Sequence, residues 1–143
     1  LQLCQKFLKP AGRIRLSFPN TGSLFCRLWG RNWLHWHIPY HLNHFNTKSF
    51  QLLVQQANLK ITNLSTATPN LWTMLQVRSW INHPAMGQRD GMWDGTPNQA
   101  SHTTSTAQKL ATQLLPYLEE LLFFNRILDA AGLGESFVVE LRQ

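Results

Sequence analysis

The stretch from Leu8 to Asn20, LKPAGRIRLSFPN, decides the fold that we expect for this chain. Residues 10–12, Pro-Ala-Gly, predict a turn after a helix, and apolar and polar residues then alternate over Arg13 to Phe18, as in a half-buried strand. Pro19 ends that strand. Helix, short turn and strand in this order are typical of an α/β sheet, where ligands bind at the carboxyl ends of strands. Asn20 is therefore predicted to border a binding site.

A second informative stretch, IPYHLNHFNTKSFQLLVQQANLKI, runs from Ile38 to Ile61. Asn46 or Thr47 can cap a helix there, and its apolar residues recur at the spacing of one helical face. Asn58 suits the left-handed position that ends a helix. A strand is predicted at about 59–66, with Ile61 and Leu64 pointing inward. The predicted helical face consists of Phe50, Leu53, Val54 and Ala57.

Together these stretches resemble the later part of class I S-adenosylmethionine-dependent methyltransferases. In that family a helix ends in L-K-P-G-G, a strand runs to P-N, and a P-x-H-L-x-x-F-T segment leads into the next helix. That helix usually ends in Gly, where this chain has Asn58. The resemblance covers residues 1–65 and, as a last strand, residues 134–142.

The resemblance implies an α/β fold, namely the C-terminal half of a Rossmann-like methyltransferase fold. We expect a small three-stranded mixed sheet with packed helices, built from residues 13–18, 59–66 and 137–141. In this family the last strand is antiparallel to its neighbours and lies between them. The exposed edge of strand 13–18 would then invite a homodimer or a swapped arrangement.

The resemblance also implies S-adenosylmethionine as the cofactor and an enzyme as the parent protein. The family holds its cofactor with a Gly-rich loop and an acidic residue, and neither is present in the chain, which begins at Leu1 inside a predicted helix. We therefore expect an inactive fragment whose cofactor-binding residues are unknown. Its methyl acceptor, whether a small molecule or a lipid- or sugar-type compound, is not identified. Cys4 and Cys26 form no C-x-x-C pair, which favours a reducing cytoplasm.

Charge is distributed unevenly along the chain. Before Asp90 there are ten Lys and Arg residues and no Asp or Glu. The formal charge of +6 is therefore the sum of +10 in this front region, residues 1–89, and −4 in residues 90–143. Catalysis by a pair of carboxylates from the front region is therefore excluded. A basic front could also attract an anionic partner. The alternative interpretation is a non-enzymatic module that binds nucleic acid or an acidic surface.

The Trp-rich segment from Leu24 to Phe45 contains the densest chemistry of the sequence. His41 matches the His of the family's P-x-H-L pattern and is our first candidate for the base that removes a proton from the methyl acceptor. His44 is the second candidate. Aromatic residues of the same segment are predicted to wall an acceptor pocket. The candidate wall residues are Trp33, Trp36 and Tyr40.

Three other interpretations apply to this segment. His35, His37, His41 and His44 have a spacing compatible with a metal site, but neither a cysteine nor a carboxylate joins them in the sequence. The alternating aromatic and basic residues could instead stack nucleic-acid bases. The histidines could also serve only to hold the loop through hydrogen bonds. We predict no metal.

The rest of the chain is expected to be a helical insertion, residues 67–135, within a single partial domain that spans 1–143 and ends in a final strand at 136–143. A polar loop is predicted at 87–106. The apolar helix at 107–130 is interrupted by charges, so it is not expected to span a membrane. It could instead pack in the core, form a dimer contact or lie on a membrane surface.

Overall fold

The computed structural model describes residues 1–36, 41–81, 113 and 123–143. The chain divides into two compact units. The first consists of 1–69 and 123–143, and the second of 70–122. In the second unit the structure describes helix α4, Asn70–Ile81.

The first unit contains a three-stranded sheet made of β1, Ile14–Pro19, β2, Lys60–Ala67, and β3, Ser136–Arg142. The strand order is β1-β3-β2, which confirms the prediction that the last strand lies in the middle. Because β3 runs antiparallel to both neighbours, the sheet is antiparallel. The prediction of a mixed sheet was wrong, since β1 and β2 are parallel to each other but never adjacent.

One face of the sheet is the core of this unit. Along β3, alternate residues Phe137, Val139 and Leu141 are at most 2% exposed, as their spacing predicted. The register of β2 against β3 shifts between Ile61 and Asn63, so Ile61 and Leu64 both pack on the core although they are three positions apart. This bulge explains the imperfect alternation of the β2 sequence.

Helix α3, Thr47–Gln56, covers the core face of the sheet. Asn46 caps it as predicted: its Oδ1 accepts a hydrogen bond from the backbone N–H of Ser49, at 2.9 Å, and the Ser49 hydroxyl accepts one from the backbone N–H of Asn46. The buried core residues are Ile14, Phe50, Val54, Ala57, Leu59, Phe137, Val139 and Leu141.

The described residues of the first unit also contain two 3-10 helices, Gly30–Asn32 and Leu34–Trp36, and three further α-helices. These α-helices are α1, Gln2–Lys6, α2, Leu24–Trp29, and α5, Phe124–Ala130. The predicted loop 87–106 lies outside the described residues, as does most of the predicted helix 107–130 before α5. Among the described residues, no helix is long and apolar enough to cross a membrane.

Among the described residues, two non-glycine residues adopt the left-handed backbone conformation, and both lie where the chain changes direction. Ala11, in the turn before β1, has φ 60°, and Asn58, between α3 and β2, has φ 52°. The prediction for Asn58 is thus confirmed. An alanine at positive φ is strained, because its Cβ approaches the backbone carbonyl.

Candidate functional site

The carboxyl end of β1 is a junction of backbone and side chain hydrogen bonds centred on Asn20. This residue is 2% exposed. Its Nδ2 donates to the carbonyl of Gly134 at 2.9 Å, and its Oδ1 accepts from the backbone N–H of Gly22 at 2.8 Å. Its own backbone N–H donates to the carbonyl of Glu135 at 2.7 Å. Both side-chain polar atoms of Asn20 are therefore engaged in hydrogen bonds inside the protein.

The same junction anchors both ends of the Trp-rich segment. At its start, Ser23 caps α2 by accepting a hydrogen bond from the backbone N–H of Cys26 at 3.0 Å. At its end, Phe45 forms an isolated parallel bridge with Asn20, and its carbonyl accepts from the backbone N–H of Thr21. The Phe45 ring packs edge-on against Phe18 at 5.6 Å. The segment therefore leaves the end of β1 and returns to it.

Glu135, directly before β3, closes the site from the far end of the chain. It is 1% exposed, and its Oε1 accepts a hydrogen bond at 3.2 Å from Nε1 of Trp33, itself 2% exposed. Its Oε2 lies 3.9 Å from Nε2 of buried His35. Its backbone N–H donates to the Thr68 hydroxyl at 3.0 Å. Glu135 thus connects the Trp-rich segment to the ends of all three strands.

Histidine and tryptophan rings form a chain of contacts outward from Glu135. His35 packs 5.1 Å from Trp33 and 6.1 Å from His41, measured between ring centroids. Trp36 packs 5.3 Å from Trp33 and 4.9 Å from His44. The chain therefore leads from the buried residues Trp33 and His35 to Trp36, His41 and His44, which are all partly exposed.

His44 has a defined partner for one of its ring nitrogens. Its Nε2 lies 3.2 Å from the carbonyl oxygen of His35. A carbonyl oxygen only accepts, so Nε2 carries the hydrogen in this contact. In the neutral ring the basic lone pair then falls on Nδ1. His44 is therefore held in the tautomer that leaves Nδ1 as its proton acceptor.

Cys26 also lies within the electrostatic reach of Glu135. Burial raises the pKa of the Cys26 thiol, the Arg27 guanidinium opposes that change, and the Glu135 carboxylate adds to it. The thiol therefore stays protonated and unreactive at neutral pH.

The structure brings together most of the residues that the sequence proposed. Asn20, Trp33, Trp36, His41 and His44 all belong to the connected set just described. Tyr40, like His37, lies outside the described residues.

Sequence reasoning missed Glu135 and the role of His35. No carboxylate accompanies the histidines in the sequence, but Glu135 reaches His35 from 100 positions further along the chain. Its only sequence signal is its place between Gly134 and the last strand. Within the described part of the chain, no three His, Cys, Asp or Glu side chains gather closely enough to hold a metal ion.

No protein-family model, curated protein or solved structure matches the chain.

Proposed function

We propose that this chain is the acceptor-facing, C-terminal part of an S-adenosylmethionine-dependent methyltransferase. The observation that carries the proposal is the strand order β1-β3-β2 with an antiparallel last strand in the middle. This strand arrangement is the one that the methyltransferase resemblance leads us to expect. A sequence that merely alternated helices and strands would favour parallel neighbours instead.

A second observation supports the same proposal. The family has Gly at two positions where this chain has Ala11 and Asn58. These are the two non-glycine residues with positive φ among the described residues. The backbone therefore adopts, at both positions, the conformation for which glycine is favoured. Positive φ at both positions therefore supports the proposal.

In a methyltransferase the cofactor supplies an activated methyl group, and the protein aligns the acceptor, excludes water and removes a proton. On this proposal His41 and His44 face the acceptor and take its proton, His44 through Nδ1. Trp36 and Tyr40 wall the pocket. Trp33 supports that wall from behind, since it is almost completely buried, and Asn20 shapes the pocket edge.

The alternative, a module that binds nucleic acid or an acidic surface, has less support from the described residues. Trp33 is buried, so its face is not available for base stacking. Arg13 and Arg15 both contact the Glu140 carboxylate, at 3.1 and 3.2 Å, which offsets part of the positive field of the front region. Binding of single-stranded nucleic acid that weakens steeply with salt would favour this alternative over methyl transfer.

Methyl transfer is tested with the protein expressed from the complete reading frame that encodes this chain. Incubation with S-adenosylmethionine labelled in the methyl group, together with a cell extract, should transfer label to an extract component. His41→Ala should lower the initial rate by about 100-fold or more, as expected for loss of a general base. Glu140→Gln, which alters the opposite face of β3, is the matched control and should leave the rate unchanged. Absence of labelled product with folded wild-type protein would contradict the proposal.

The 143-residue chain gives a second test. Because the family's Gly-rich loop and acidic residue are absent from it, calorimetry should detect only weak binding of S-adenosylmethionine. Tight binding by these residues alone would contradict the assignment of the chain to the acceptor side.

A further inference from the structure

The two oxygens of the Glu135 carboxylate have different partners. Oε1 accepts the Trp33 indole N–H, whereas Oε2 is buried and has no hydrogen bond among the described residues, with Nε2 of His35 3.9 Å away. A buried carboxylate oxygen without a partner is costly, and the cost falls when a nearby N–H points toward it. The arrangement therefore favours a hydrogen on Nε2 of His35.

We propose that Glu135 is a positioning residue of the acceptor side, which sets the tautomer of His35 while it holds the Trp33 ring. This inference rests on the proposed function. With the hydrogen on Nε2, the basic lone pair of the neutral His35 ring falls on Nδ1. One carboxylate thereby orients both a buried aromatic ring and a buried imidazole.

The residue that Glu135 orients contacts both candidate bases. The His35 ring packs 6.1 Å from that of His41, and the His35 carbonyl oxygen accepts the hydrogen bond from His44 Nε2 at 3.2 Å. A rotation of the His35 ring would therefore disturb the packing of His41, whereas the contact of His44 is with the His35 backbone. Glu135 acts on His41 through the His35 ring, as supporting residues commonly do at catalytic sites.

A simpler role, that of a hydrogen-bond acceptor for Trp33 alone, makes a different prediction. For that role one acceptor oxygen is sufficient, and glutamine supplies it. In Glu135→Gln the amide oxygen must face Trp33 Nε1 to preserve that bond, so the amide NH2 faces Nε2 of His35. An NH2 group donates, so His35 would have to accept at Nε2 and carry its hydrogen on Nδ1. Substitution of one atom should therefore invert the His35 tautomer while leaving Trp33 bonded.

The experiment uses the 143-residue chain labelled with nitrogen-15 at histidine and tryptophan. Multiple-bond proton–nitrogen NMR at about pH 8 reports which ring nitrogen of His35 carries the hydrogen, and indole exchange reports the Trp33 bond. In the wild type we expect hydrogen on Nε2 and a protected indole. Glu135→Gln should move the hydrogen to Nδ1 with the indole still protected. Glu135→Leu should speed indole exchange by about tenfold or more, and Glu140→Gln should change neither signal.

The wild-type spectrum alone tests the proposal even if the variants do not fold. A His35 ring with its hydrogen on Nδ1, or on both nitrogens, in the wild type would overturn the proposal. So would an unchanged tautomer in folded Glu135→Gln. Because these measurements require no cofactor or acceptor, their outcome is independent of the methyl-transfer assay. In that assay Glu135→Gln should lower the rate at saturating cofactor with the apparent cofactor affinity unchanged.

Discussion

Trp33 donates a hydrogen bond from its indole Nε1 to Oε1 of Glu135 across 3.2 Å, although the two residues are 102 positions apart. Both are almost completely buried, at 2% and 1% exposure. The bond joins the Trp-rich segment to the residue directly before the central strand. The bond therefore fixes side chains at the candidate site and also links two segments that are distant in the sequence.

Trp33→Phe should destabilise the protein by about 1–3 kcal/mol, because it removes the buried donor and leaves Oε1 of Glu135 without its hydrogen bond. Urea unfolding followed by far-UV circular dichroism measures the change. Trp36→Phe is the matched control, since Trp36 Nε1 donates to the Gly30 carbonyl at 2.7 Å in an exposed setting. Trp36→Phe should lower the stability less than Trp33→Phe, because water can replace the indole N–H as a donor to the exposed Gly30 carbonyl. Equal losses in the two variants would contradict the importance of the buried bond.

Ala11→Gly should stabilise the protein by about 1 kcal/mol, because glycine relieves the steric cost of the observed positive φ. Asn58→Gly should have a smaller effect, since asparagine tolerates this conformation better. Ala57→Gly provides the control. Because Ala57 has φ −86° and is buried, glycine relieves no strain there and this variant should be less stable than the wild type. Thermal unfolding of the three variants checks their order. A less stable Ala11→Gly variant would show that the turn is not strained.

Stability should fall at acid pH in part through Glu140. Burial tends to raise its pKa, but hydrogen bonds from Arg13, Thr62 and Arg15 outweigh that effect and hold the pKa below its ordinary value. The unfolded chain therefore binds the proton more readily, so this stabilisation is present above the ordinary glutamate pKa and is lost as the pH falls through the lower, folded value. Glu140→Gln should show a shallower loss of stability between about pH 5 and 3. If the free energy of unfolding, measured with urea, changed with pH equally in the wild type and in Glu140→Gln, this prediction would be refuted.

Alkylation should distinguish the two free cysteines. Cys4 is exposed, whereas Cys26 is buried and its thiol pKa is raised, mainly by burial and further by Glu135. Iodoacetamide should therefore modify Cys4 well before Cys26 in the folded chain, as mass spectrometry of tryptic peptides can show. Glu135→Gln in a Cys4→Ser background should speed modification of Cys26. Modification of both cysteines at one rate in folded protein would contradict this prediction.

The outer edge of β1 should make the isolated chain associate. This strand has one neighbour in the described sheet, β3, and pairs with it without a register shift from Ile14 to Pro19. Unpaired edges of this kind promote pairing with a further strand. Light scattering should therefore show a dimer, with β1 amide hydrogens protected from exchange. A monomer whose outer β1 amides exchange freely would rule out this association.

Much of the fold could be predicted because its determinants are local. The alternation of Phe137, Val139 and Leu141 and the cap at Asn46 each depend on residues a few positions apart, and the structure confirms both. The central position of the last strand came from the methyltransferase resemblance. The bulge between Ile61 and Asn63 could not be predicted, because it depends on how β2 registers with β3.

At the candidate site the sequence by itself determined which residue types are present: a segment rich in tryptophan and histidine and free of carboxylates. Only the tertiary structure decided that a carboxylate joins them. Antiparallel insertion of β3 between β1 and β2 places Glu135 at the carboxyl end of β1, where its backbone carbonyl binds the Asn20 N–H and its side chain binds Trp33. Spacing along the chain carries no record of such a contact, because burial and strand pairing, rather than sequence proximity, bring the two ends together.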